Sequence, residues 1–125
     1  MLLPAFGPGD YCNAIIMKRI GRVVKLREGA EADYERYHSE IWPKVLETIK
    51  KSGIKNYTIF RYDRWLFSYF ELPAGITIAG VERVTSRCEA CRRWEELMHK
   101  LQEPLPESGE TFWWVPMNEV WHGED

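Results

Sequence analysis

The sequence predicts one α+β domain whose elements run β-α-β-β-α-β. Three observations carry that expectation. A length of 125 residues suits one domain and leaves little room for a second. Apolar residues recur with a period near two in some segments and near 3.6 in others. Pro and Gly stand where one period gives way to the next. With 45% hydrophobic and 29% charged residues, the balance is that of a globular chain rather than a disordered one.

Each element is justified in turn. RIGRVVKLR, Arg19 to Arg27, nears alternation with β-branched residues and predicts the first strand. EGAEADYERYHSEIW then switches to helical spacing, with Tyr34, Tyr37, His38 and Ile41 on one face. Pro43 suits the first turn of a second helical segment, which carries Trp42, Val45, Leu46 and Ile49 inward and ends at Gly53. NYTIF and WLFSYFEL predict a hairpin closed at RYDR. After PAG, one helix is expected to run to about Leu101, burying Val81, Val84, Cys88, Cys91 and Met98. QEPLPESGE is a loop, and MNEVWH, behind Phe112, Trp113 and Trp114, reads as the last strand. This order is the ferredoxin-like split unit. Its helices lie on one face of the sheet, and two copies covering each other's open face would give a dimeric α/β barrel.

Composition narrows the function. A net charge of -2 and a pI near 6.0 argue against nucleic acid as a partner. No apolar run approaches a membrane span. Residues 1–16, MLLPAFGPGDYCNAII, lack a basic segment followed by an apolar core; they read as a flexible extension before a domain over 17–125, with a cytoplasmic location expected. Cys12, Cys88 and Cys91 are an odd count and give no disulfide framework. CEAC has the spacing of a redox or zinc pair, but two small apolar residues on a buried helix face are the commoner reading. Six tryptophans exceed what a small core needs, so some are expected to line a pocket or interface.

YERYHSEIWP concentrates the chemistry. Tyr34 and His38, four apart, share a helix face, either as satisfied structural residues or as a catalytic pair. Glu35-x-x-His38 has the spacing of half a metal site, but no second such motif exists, so neither metal nor cofactor is expected.

The combination of a tyrosine four residues before His38, the following I-W-P and the later N-Y-x-I resembles the L-rhamnose mutarotases. These are small dimeric ferredoxin-like enzymes that interconvert sugar anomers. The likeness runs from Met17 to His122, through LFSYFEL and QEPLP…WWVPMNEVWH. It implies that His38 is the proton donor and that Tyr34, Tyr57 and Trp94 bind the sugar. The family's second adjacent tryptophan falls on Glu95, so this sequence departs from the pattern at the substrate wall. The implied substrate is a 6-deoxy-L-hexose, L-rhamnose first and L-fucose its competitor.

Mutarotation suits these residues. A base takes the anomeric hydroxyl proton while an acid protonates the ring oxygen, and reclosure after rotation gives the other anomer. Histidine titrates near neutral pH and can serve in either state. For the second proton carrier the sequence offers Glu119, if it points into the pocket, and Glu95; a water, or His38 acting twice, is also open. Two rival readings stand beside this one. A dimeric-barrel monooxygenase or haem-handling protein would use His38 as an axial ligand or oxygen-site base. A non-catalytic sugar-binding module would leave anomer exchange at its solvent rate.

Overall fold

A computed structural model describes residues 17–123; the extension expected over 1–16 lies outside the described residues. The elements are β1 (Lys18–Leu26), α1 (Glu31–Ser39), α2 (Pro43–Lys51), β2 (Lys55–Tyr62), β3 (Trp65–Leu72), α3 (Ile78–Ser86), α4 (Glu89–Leu101), β4 (Gln102–Glu103) and β5 (Val115–Pro116). The sheet order is β2-β3-β1-β4, with β5 also paired to β1, and all pairings are antiparallel. This is the ferredoxin-like α+β arrangement.

Register fixes the two faces. Strand side chains alternate, so Arg22, Val24 and Leu26 point the same way as Leu66, Ser68, Phe70 and Leu72. That face carries the helices: Val24, Leu26 and Leu66 are fully buried there, in a cluster with Tyr34, Val45, Trp94 and Met98. Val23, Trp65, Phe67 and Tyr69 lie on the opposite face, joined from β2 by Phe60 and Tyr62, which are 62% and 77% exposed.

The helix boundaries follow local chemistry. Pro43 stands in the first turn of α2, as expected, because its missing N–H has no intrahelical partner there. Gly53, at φ 91°, leaves α2, and a Cβ at that position would meet Ile76 at 2.8 Å. In α2, Val45 and Thr48 are buried, while Leu46 is 44% exposed; the expected inward set therefore holds only in part.

Two expectations give way. The single helix expected up to Leu101 is two, broken at Arg87–Cys88. Thr85 and Ser86 turn their hydroxyls back to the carbonyls of Glu82 and Arg83, and the Cys88 sulfur accepts the Cys91 N–H. Short polar side chains thus compete with the backbone and end α3. The last strand is also not MNEVWH. Residues 117–123 have no regular structure, and Val120 and Trp121 are 95% and 81% exposed. Edge pairing on β1 is shared instead by β4, against Lys25 and Leu26, and β5, against Arg22 and Val23. Residues 104–114 loop out between those two short strands. Ser108 ties the loop, accepting from the Leu105 N–H at 2.9 Å and donating to the Trp113 carbonyl at 2.7 Å.

Candidate active site

The helix-covered face does not close completely. Beyond the buried aliphatics of β1 and β3 lies a cavity of about 430 Å³, within the range that takes one small molecule. Its walls include Arg22 from β1, Tyr34 and His38 from α1, Tyr57 from β2, and Trp94 and Glu95 from α4. The loop 104–114 adds Trp114, and Phe70 and His99 complete the surround.

α1 sets the geometry of its own histidine. His38 Nδ1 lies 2.9 Å from the carbonyl of Tyr34, one turn earlier. A carbonyl can only accept, so Nδ1 carries the proton and Nε2 holds the free lone pair. The ring stacks on Tyr34, with centroids 4.1 Å apart and planes at 25°, and meets the Trp94 indole edge-on at 5.3 Å. Burial lowers the pKa of His38, a shift the Tyr34 carbonyl opposes. Burial also raises the Tyr34 hydroxyl well above the ordinary tyrosine range, so it remains a neutral donor.

Glu95 faces this group. Burial raises its carboxyl pKa, against the opposing charges of His99 and Arg22. His99 Nε2 stands 3.0 Å from Glu95 Oε1, at ion-pair distance but without hydrogen-bond alignment. The His99 ring lies flat on Trp113, with centroids 3.8 Å apart and planes at 4°, which links α4 to the loop. Arg22 places its guanidinium over Phe70 and Trp114, at 4.8 and 5.5 Å, with Nη2 3.5 Å from the Tyr57 hydroxyl. Its Nε is buried and has no protein partner. Burial raises the Tyr57 hydroxyl as well.

The structure thus brings His38, Tyr34, Tyr57, Trp94 and Glu95 to one cavity. Glu119 is elsewhere: both its oxygens accept from Arg19, at 2.8 and 3.0 Å, and Arg19 belongs to the open face of the sheet. That ion pair holds its pKa low, so it does not fit the second proton carrier. Glu35 pairs with Arg61. Among the described residues no group of three or more His, Cys, Asp or Glu could hold a metal, and no helix is long and apolar enough to cross a membrane. Arg22, Phe70, His99 and Trp114 line this cavity and were not among the site candidates of the sequence. For Arg22 the signal existed: a cation among Ile20, Val24 and Leu26, the aliphatic residues that share its face of β1.

Residues 19–123 match a family model described as L-rhamnose mutarotase. An L-rhamnose mutarotase of Lactiplantibacillus plantarum is 31% identical over 96 residues, covering 75% of this chain and 85% of that protein. One from Clostridium beijerinckii is 33% identical over 88 residues, covering 68% and 80%. The crystal structure of an L-rhamnose mutarotase from Formosa agariphila superposes with a TM-score of 0.66 at 21% identity, over 86% of this chain and 99% of that one, a likeness of fold.

The buried, carbonyl-anchored imidazole makes a pH prediction. With its pKa below the ordinary 6.5, the folded protein takes up this proton later than the unfolded chain as pH falls. Stability from the neutral ring is therefore full above 6.5 and is lost as pH drops through the folded value. An NMR titration of the His38 ring is expected to show a midpoint below 6.5. A midpoint at or above that value would mean the ring is solvated.

Proposed function

Since the chain belongs to the L-rhamnose mutarotase family, a family of anomer-interconverting isomerases, we propose that this cavity opens and recloses the pyranose ring of a 6-deoxy-L-hexose, L-rhamnose foremost. The observation that carries the mechanism is the His38 tautomer. Its Nδ1–H is committed to the Tyr34 carbonyl, so Nε2 is the atom left to exchange a proton with the sugar. Nε2 takes the proton of the anomeric hydroxyl while Glu95, whose carboxyl pKa burial raises above the ordinary value, gives a proton to the ring oxygen. The ring opens to the aldehyde, the C1–C2 bond rotates, and both protons return as the ring recloses. On closure His38 is the donor, the role that the resemblance implies. Only proton transfer is required.

The remaining groups hold the sugar. Tyr34 and Tyr57, both neutral, can donate to hydroxyl oxygens, and the unpartnered Nε–H of Arg22 can do the same. Trp94, Trp114 and Phe70 supply apolar area for the C–H face and the C6 methyl. Asymmetry between donors and apolar walls is what distinguishes a deoxysugar from a fully hydroxylated one.

His38→Asn keeps the approximate shape and removes the exchangeable proton. Anomer exchange, read by saturation transfer between the anomeric protons, is expected to fall by about 10²-fold or more. Glu95→Gln is expected to fall on a similar scale and to change the pH profile. The native rate needs neutral His38, lost on acidification below the usual histidine value of 6.5, and protonated Glu95, lost as pH rises through a value above the usual 4.5. The alkaline limb is expected to vanish in Glu95→Gln. Unchanged exchange in a folded His38→Asn protein would make the histidine structural.

Substrate preference is tested by the same measurement on two sugars. L-rhamnose is expected to exchange faster than L-fucose in the native protein. Glu95→Trp, which restores the family's aromatic wall, is expected to slow both, because it removes the acid. A reversal of preference with undiminished rate would instead make Glu95 a specificity residue only. If neither sugar is accelerated by any of these proteins, the sugar-binding module takes the place of the enzyme.

We also propose a homodimer in the cytoplasm. Phe60 and Tyr62 leave a broad aromatic surface on the open sheet face, and the arm bearing Val120 and Trp121 is as exposed. A second copy covers such a surface with a two-fold interface. Light scattering at micromolar concentration is expected to give twice the chain mass, and Phe60→Glu to give a monomer. A monomeric native protein overturns the dimer.

A further inference from the structure

Cys88 and Cys91 take no part in the proton transfers described above, yet their setting is organised. Cys88 is the N-cap of α4, with an extended backbone at φ -95° and ψ 117°. Its sulfur accepts the Cys91 N–H at 3.4 Å and lies 3.4 Å from the Thr48 hydroxyl, whose single proton is shared with the Lys44 carbonyl at 2.8 Å. The amide donor, the shared hydroxyl and the positive end of a 13-residue helix meet at one sulfur, an environment that favours thiolate over thiol. Cys91, three residues on, is 8% exposed and follows Cys88 by one turn of the same helix.

The two thiols differ accordingly. The Thr48 hydroxyl first, and then the Cys91 amide, bring Cys88 down to about 7. Burial first, and then the Cys88 sulfur, push Cys91 up to about 11. The outer sulfur is the nucleophile, and the inner one, shielded from solvent, is placed to resolve. A buried apolar pair, the commoner reading of CEAC, predicts neither the partial exposure of Cys88 nor its two donors.

We propose that Cys88 and Cys91 form a thiol–disulfide exchange site that reacts with small organic disulfides and closes an intramolecular disulfide across the first turn of α4. The Cys88 thiolate attacks one sulfur of RS–SR. That S–S bond breaks, a Cys88–SR mixed disulfide forms, and the departing RS⁻ takes up the proton that Cys88 gave up. Cys91 then loses its proton and attacks the Cys88 sulfur, and the second RS⁻ leaves and is protonated. The protein dithiol is oxidised to a disulfide while RS–SR is reduced to two RSH.

The test uses glutathione disulfide on the reduced protein, with Cys12 replaced by Ser so that only this pair is counted. After acid quench and alkylation, mass spectrometry is expected to show loss of two hydrogens, mapped to a peptide linking Cys88 to Cys91. C91S is expected to stop at a glutathione adduct on Cys88. C88S keeps an oxygen cap on α4 and is expected to leave Cys91 unreacted in the folded protein. Thr48→Val removes one donor and is expected to slow adduct formation several-fold in a C91S background. Two free thiols after prolonged exposure, an unresolved adduct in the parent protein, or equally fast modification of Cys91 in C88S each overturns the proposal. Circular dichroism of each variant separates failure to fold from failure to react.

Discussion

Core and site alike depend on the four helices of the described residues packing against the same face of the sheet. Core and cavity therefore occupy one compartment and share strands. On β1, Val24 and Leu26 are fully buried, while Arg22, two residues earlier on the same face, reaches into the cavity. Two residues along a strand span roughly 7 Å, so the step from a dry core to a polar pocket is short. The site borrows its rigidity from the sheet, and its groups are held by elements whose aliphatic residues cannot move without opening the core.

That shared compartment also governs charge. Burial disfavours the charged form of any group, lowering His38 and raising Glu95, Tyr34 and Tyr57 alike. The titratable side chains of the cavity are thus shifted towards neutrality, while Arg22, without a carboxylate partner within ion-pair distance among the described residues, supplies the fixed positive charge. A reaction that begins and ends with a neutral sugar suits a pocket whose titratable groups are held towards neutrality.

The element order was readable because periodicity changes sharply at Gly53, at the RYDR turn and at PAG. The opening helix was readable for a different reason: YERYHSEIWP concentrates aromatic residues on one face, and that face is the one buried. What escaped the sequence depends on partners distant along the chain. The break before α4 was hidden because Cys88 is apolar by composition yet acts as a cap once Cys91 and Thr48 surround it. Val115–Pro116 outcompetes MNEVWH as a strand because the register on β1 is dictated by where the 104–114 loop returns, not by local propensity. Whether Glu119 points into the pocket was not legible, because its partner Arg19 lies a hundred positions away. Glu95 and His99 could be placed together from their spacing, but not the stacking of His99 on Trp113 that joins helix to loop.

The outer edge of the sheet has a consequence of its own. Among the described residues no strand pairs with β2 on its far side, and an unpaired strand is a template for any other extended chain. The register of β2 against β3 slips between Lys55 and Thr58, where Asn56 adopts a left-handed φ of 52°. A bulge bends the strand and breaks the run of evenly spaced amide and carbonyl groups that an incoming strand would need. Arg61, farther along the same strand, adds a charge. The chain is thereby guarded against edge-to-edge polymerisation, the route by which small sheet proteins turn into fibres.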